Sequence, residues 1–204
     1  MTIYNFDVLE STNEYMKNNI QSFKNFDIVV AKNQTNAKSR RGNFWNSDNG
    51  MALFTFLAKK EGTLDDTEYL KLPLIAGLSV IKGLEEFENL NYMFKWTNDI
   101  YLQEKKLCGI LVEKINDNFL IGIGININNT LPENLKNIAI SLSEITKNNY
   151  DINNIIITIV EKFKLLYNSF INKKWSDILS EINKRNYLKD KLISIKMGDE
   201  IISG

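Results

Sequence analysis

The alternation of apolar and polar positions divides the chain into short strands and longer amphipathic helices. Residues 27–31 and 51–57 are apolar and rich in strand-forming types, and each predicts a strand. Apolar residues at helical spacing over residues 72–87 predict a helix facing a core, and two more helices are expected at residues 155–170 and 175–186. Between them three strands are expected, at residues 92–96, 107–115 and 119–127, the last two joined by a tight turn at Asn116-Asp117-Asn118. Ser11-Thr12-Asn13-Glu14 has the form of a capping box, in which the serine accepts from the amide three residues on and the glutamate reaches back; it opens a helix over residues 12–20. This mixed order predicts an α+β domain, a mixed β-sheet with helices packed on it, rather than a repeating βαβ barrel.

A period of two sorts each strand into faces. In the last strand Phe119, Ile121, Ile123, Ile125 and Ile127 share one face, and Leu120, Gly122, Gly124, Asn126 and Asn128 the other. Two mid-strand glycines leave that second face bare, which suits either a ligand or a closely packed helix. In the preceding strand alternation groups Lys106 with Cys108, Ile110 and Val112, and sets Leu107, Gly109, Leu111 and Glu113 opposite. Lys106 either snorkels from the strand end or points into a pocket, where it would draw a carboxylate or phosphate. Asn98 falls on the face of Trp96 and Phe94 with Asp99 opposite, although a turn accounts for an Asn-Asp pair equally well.

Residues 34–50 are polar and read as a long loop. The loop gathers Lys38, Arg40 and Arg41 beside small residues and ends its basic stretch on Trp45. It is either a solvated surface loop or a wrap for a phosphate with a flat aromatic face for a base.

Composition narrows the chemistry. With 204 residues, 44% of them apolar, the chain can bury one sizeable core. Its 25 basic and 25 acidic residues cancel, which argues against the broad positive field of a non-specific nucleic-acid binder and makes any anion site local. The single cysteine, Cys108, forms no internal disulfide; the first residues lack a signal-peptide pattern, and no apolar run approaches the roughly 20 residues that span a bilayer. A cytoplasmic location is expected. The absence of histidine removes Ser-His-Asp and Cys-His pairs and the usual zinc sites. Lys, Arg, Asp, Glu, Asn and backbone groups are left, which suit reactions at phosphates. Gly122-Ile123-Gly124 lacks the rest of a dinucleotide fingerprint, and no Gly-rich loop ends in Gly-Lys-Ser/Thr.

Taken in order, these segments resemble the biotin protein ligase family. Ser11-Thr12-Asn13 matches its Ser-Thr-Asn signature, and Gln34 to Trp45 its basic glycine-rich loop. Lys95-Trp96-Thr97-Asn98-Asp99 is similar to Lys-Trp-Pro-Asn-Asp, residues 105–113 to Arg/Lys-Lys-Leu-Ala-Gly-Ile-Leu-Val-Glu, and Gly122-Ile123-Gly124-Ile125-Asn126 to Gly-Ile-Gly-Ile-Asn.

The resemblance implies a catalytic domain like that of class II aminoacyl-tRNA synthetases over residues 1–187, and the beginning of a truncated SH3-like domain over residues 188–204. It implies a two-step reaction with ATP and magnesium: biotin becomes biotinyl-5'-AMP, and the biotinyl group then passes to a lysine of a biotin carboxyl carrier protein. Carried over by position, Lys106, Arg40 and Lys38 are the catalytic residues. Ser11, Thr12, Asn13, Gln34, Lys38, Ser39, Arg40, Lys106 and Gly109 bind biotin; Trp45, Asn98, Asp99 and Asn126 bind the nucleotide, with Asp99 near magnesium. Homodimerisation through the central sheet is a family trait, and with the signature already at residue 11 no DNA-binding domain is expected ahead of it.

The loop departs from the family's Gly-Arg-Gly-Arg-x-Gly-Arg, reading Ala37-Lys38-Ser39-Arg40-Arg41-Gly42-Asn43, so a point charge replaces a planar donor and two glycines are lost. The competing readings are a lipoate or octanoate ligase or transferase of the same fold, and a non-catalytic biotin-binding module.

Overall fold

A computed structural model describes residues 1–38, 45, 47–198 and 200–204 of the chain. The isoleucine ladder of β7 (Asn118–Asn126) explains its centre. Phe119, Ile121, Ile123 and Ile125 all enter the main hydrophobic core, and Leu120 enters a smaller one on the opposite face. A strand apolar on one side and mixed on the other belongs inside a sheet covered on both faces.

On one side of β7 lie β3 (Met51–Lys59), β2 (Ile28–Gln34) and β1 (Ile3–Leu9). On the other lie β6 (Lys105–Ile115), β5 (Asp99–Leu102) and β4 (Met93–Lys95). The seven-stranded order is β1-β2-β3-β7-β6-β5-β4, antiparallel except for the parallel β1–β2 pair. This is the mixed α+β sheet expected. Two helices, α2 (Leu72–Leu84) and α4 (Ile152–Ile171), cover the main core with α5 (Trp175–Lys184) beside them. Helix α1 (Thr12–Asn18) covers the smaller core through Met16, against Val29, Leu57 and Leu120. Gly83 of α2 lets α4 approach, for a Cβ there would lie 2.5 Å from Ile159.

Several boundaries move. The strand predicted at 92–96 stops at Lys95, because Lys95 is the register partner of Asp99 and residues 96–98 form the hairpin loop between β4 and β5. Alternation does not pass through a turn, so Phe94 is buried while Trp96 is 66% exposed. The outer edge of β4 is closed by the segment after α5: Phe94 N–H donates to Arg185 O and Tyr187 N–H to Phe94 O. Strands β1 and β5 and the five-residue α3 (Leu142–Thr146) are elements that the periodicity did not predict. The last is opened by a capping box at Ser141 and Glu144. In α1 the Ser11 hydroxyl accepts from Glu14 N–H as predicted, whereas the Glu14 carboxylate takes Lys38 Nζ at 2.7 Å. Near the end, β8 (Ser194–Met197) and β9 (Glu200–Ser203) pair antiparallel as a separate two-stranded sheet.

Candidate functional site

The first turn of α1, the end of β2, and the facing stretches of β5, β6 and β7 enclose a cavity of about 170 Å³. Ser11, Thr12, Asn13, Gln34, Lys38, Trp45, Asp99, Lys106, Gly109, Gly122 and Gly124 contribute to its lining. Residues 100 positions apart in sequence meet there because β7 joins β3 to β6 in the middle of the sheet.

Lys106 reaches this cavity by a backbone irregularity. Ile100 pairs with Cys108 but Tyr101 with Lys106, so Leu107 is the extra residue of a bulge between β5 and β6. Strict alternation had grouped Lys106 with the apolar Cys108 and Ile110; the bulge moves it to the side of Gly109, whose added Cβ would lie 3.4 Å from Lys106 Cε. Leu107 and Cys108 both enter the core. Burial pushes the Cys108 thiol well above its ordinary pKa, so it is a small apolar group in function. The Lys106 ammonium lies 2.8 Å from Asp99 Oδ1 and 5.1 Å from the centroid of the Trp45 ring, a cation–π distance.

The two bare glycines of β7 are each covered by a side chain. An added Cβ at Gly124 would come within 2.7 Å of Trp45 Nε1, and one at Gly109 within 2.7 Å of Trp45 Cζ3, so the indole lies flat where two strands lack side chains. Its N–H is buried with no hydrogen-bond partner among the described residues. Gly122 is overlain by the amide of Asn13, which a methyl group would strike.

The opposite wall is made mainly of uncharged polar side chains that hydrogen-bond to one another. Gln34 Oε1 accepts from Thr12 N–H at 2.7 Å and lies 3.2 Å from Thr12 Oγ1. Thr55 Oγ1 lies 2.8 Å from Thr12 Oγ1 and 2.5 Å from Asn13 Oδ1, and Asn13 Nδ2 donates to Glu113 Oε2 at 2.6 Å. Sequence reasoning missed Thr55 as part of this wall. The signal was a lone hydroxyl in the apolar run Met51–Ala58, fully buried in the structure, where it must find a partner. Lys38 donates to Glu14 at 2.7 Å; this hydrogen bond raises the lysine pKa and lowers that of the carboxyl, so Lys38 stays cationic at the cavity rim.

Two candidates lie outside the lining. Asn98 is buried and gives its Nδ2–H to Ile110 O at 3.0 Å, and Asn126 is buried with Oδ1 accepting from Asn129 Nδ2 at 3.1 Å. Ser39, Arg40 and Arg41 fall outside the described residues. Among the described residues no three His, Cys, Asp or Glu side chains gather in a way that could hold a metal ion, and Asp99 is paired with Lys106. No helix among them is long and apolar enough to cross a membrane.

The model of the biotin/lipoate A/B protein ligase family matches residues 5–128. The bifunctional ligase/repressor BirA of Bacillus subtilis is 32% identical over 185 residues, covering 84% of this chain and 55% of its own length. Its namesake in Escherichia coli is 28% identical over 206 residues, 97% of this chain and 63% of that protein. The chain thus spans between half and two thirds of these relatives. The biotin protein ligase from Aquifex aeolicus, solved in complex with biotin and ATP, superposes with a TM-score of 0.88 at 30% identity over 100% of this chain and 85% of that one.

Proposed function

The chain belongs to the biotin/lipoate A/B protein ligase family, and on that premise we propose that it activates biotin with ATP to biotinyl-5'-AMP and passes the biotinyl group to a lysine of a biotin carboxyl carrier protein. One observation carries the choice: a single cavity is lined both by uncharged polar side chains, Ser11, Thr12, Asn13 and Gln34, and by the cations Lys106 and Lys38. Biotin has a cyclic urea at one end and a carboxylate at the other. A lipoyl ring offers only sulfur to that polar wall, whereas a cyclic urea offers both donors and an acceptor.

In the first step a carboxylate oxygen attacks the α-phosphorus, the bond to the leaving pyrophosphate breaks, and two anions must meet. Lys106 is the cation placed to offset that repulsion, and Asp99 holds its ammonium in position. Trp45 lies beside Lys106 and brings a flat aromatic ring to the cavity lining, which suits adenine. On this reading Arg40 and Lys38 join Lys106 as catalytic cations, and Ser39 is one of the biotin-binding residues. Asn98 acts by tying the hairpin loop to β6, and Asn126 by ordering the turn after β7. Magnesium would accompany the phosphates of ATP, with Asp99 the acidic residue in the cavity lining. In the second step the carrier's amine attacks the acyl carbon and AMP leaves.

The same premise divides the chain into a catalytic domain over residues 1–187 and, with β8 and β9, the start of an SH3-like domain over residues 188–204. It also implies pairing of two copies through the sheet and a cytoplasmic setting. Calorimetry with biotin and with lipoate tests the substrate. Saturable binding of biotin alone is expected, and binding of lipoate alone would overturn the assignment.

A further inference from the structure

Resting on the biotin reading, we propose that Ser47 is a positioning residue for the ligand site: its hydroxyl takes the place of a missing strand partner at the end of β2 and thereby holds Gln34 in the cavity wall. The register of the sheet shows why a partner is needed. Strand β2 runs to Gln34, but its last pair with β3 is Ala31 with Leu53, so Lys32, Asn33 and Gln34 extend beyond that pairing. Successive N–H groups of a strand point to opposite sides. Thr35 N–H donates to Leu9 O on the β1 side, which turns the Gln34 N–H to the side that β3 no longer covers. There it donates to Ser47 Oγ at 2.7 Å, and the Ser47 hydroxyl in turn donates to Asn33 Oδ1 at 3.0 Å. One side chain thus closes the end of the strand on two adjacent residues.

The contact matters to the site because of where Gln34 leads. Its Oε1 accepts from Thr12 N–H, which joins the end of β2 to the first turn of α1, and its side chain lines the cavity. Ser47 stands outside that lining, so its effect passes through Gln34. Its own place is fixed from the other direction. Gly50 has φ +91°, its O accepts from Asn128 N–H at 2.7 Å, and an added Cβ there would lie 2.8 Å from Asn129 N, so the chain after Ser47 is pinned to the end of β7. Trp45 is held separately, by its N–H to Ala37 O at 3.0 Å. Removing the Ser47 hydroxyl therefore takes the acceptor from Gln34 N–H and leaves the anchoring of Trp45 in place.

The test uses the whole chain as wild type, Ser47→Ala, Ser47→Thr and Asn33→Ala. Two readouts are taken: steady-state ATP–pyrophosphate exchange driven by biotin, and amide hydrogen exchange followed residue by residue by NMR. Ser47→Ala should speed hydrogen exchange of the Gln34 amide roughly tenfold or more and leave Val29 and Val30, within the β2–β3 pairing, unchanged. It should raise KM for biotin roughly tenfold, the scale of one hydrogen bond, with KM for ATP and kcat within about twofold of wild type. Ser47→Thr, which keeps the hydroxyl, should restore both the Gln34 protection and the biotin KM. Asn33→Ala, which removes the acceptor that orients the hydroxyl, should raise the biotin KM by a smaller factor; it decides the matter if Ser47→Ala does not fold, an unchanged KM then overturning the proposal. A Gln34 amide equally protected in wild type and Ser47→Ala, or one deprotected with no change in biotin KM, would overturn it too. So would equal losses for biotin and ATP, the mark of a general loosening. A wild type whose pyrophosphate exchange ignores biotin would overturn the ligase reading, and the role of Ser47 with it, whatever the Gln34 amide does.

Discussion

Lys106 Nζ stands 2.8 Å from Asp99 Oδ1, on neighbouring strands, at the place where Leu107 bulges. The pairing holds a cation at a fixed point in a cavity whose other wall is made mainly of uncharged polar side chains. Lys106→Ala is therefore expected to slow formation of the adenylate by roughly 10²-fold or more, the effect of removing one preorganised donor to a transition-state charge. Single-turnover measurement of biotinyl-5'-AMP checks it, and a rate within about twofold of wild type, worth under 1 kcal/mol, would remove Lys106 from the chemistry.

A second expectation concerns Trp45. Gly124→Ala places a methyl 2.7 Å from Trp45 Nε1, so the indole must lift off the sheet. In a Trp96→Phe background, which removes the already exposed indole, acrylamide quenching should rise and ATP affinity fall. Quenching identical to the parent would mean that Trp45 does not rest on Gly124.

The site was legible in pieces and the fold in outline. The bare face of Gly122 and Gly124 and the apolar face of Phe119 to Ile127 followed from alternation alone, and the structure keeps both. Lys106 was recognisable as a residue at odds with its face, with a pocket as one of two readings, but alternation could not choose between them, because a bulge is a property of two strands and leaves no periodic mark in either. Strand β5 was hidden for a related reason: its four residues follow a three-residue hairpin loop, too short for alternation to register. Strand β1 carries no apolar run, and its pairing with β2 decides its state. Thr55 shows a different limit, since a hydroxyl within an apolar strand signals a partner without naming it.

Cys108 is the chain's single cysteine, fully buried, with its thiol pKa raised by burial. A thiol-reactive dye at neutral pH should label the folded chain negligibly and label one equivalent in denaturant. Rapid labelling of the native protein would contradict the placement of Cys108 in the core.

Glu181 ties α5 to α2. Hydrogen bonds from Lys184 and Arg185, and then the charge of Lys82, hold its carboxyl at about 2 against an ordinary 4.5. A carboxyl lowered on folding stabilises the native state above its unfolded pKa, and this contribution is lost as pH falls from about 4.5 through about 2. Because the network is partly exposed, Glu181→Gln should lower Tm at pH 7 by only about 2 °C. The difference from wild type should close as the pH is lowered through that window. A gap that widens in acid would contradict the assignment.

The central claim is that this cavity joins biotin to AMP. ATP–pyrophosphate exchange, measured with magnesium and either biotin, lipoate or no acid, tests it most directly. Exchange that depends on biotin and is absent with lipoate is the predicted result. Exchange supported by lipoate alone, or by neither acid, would contradict it.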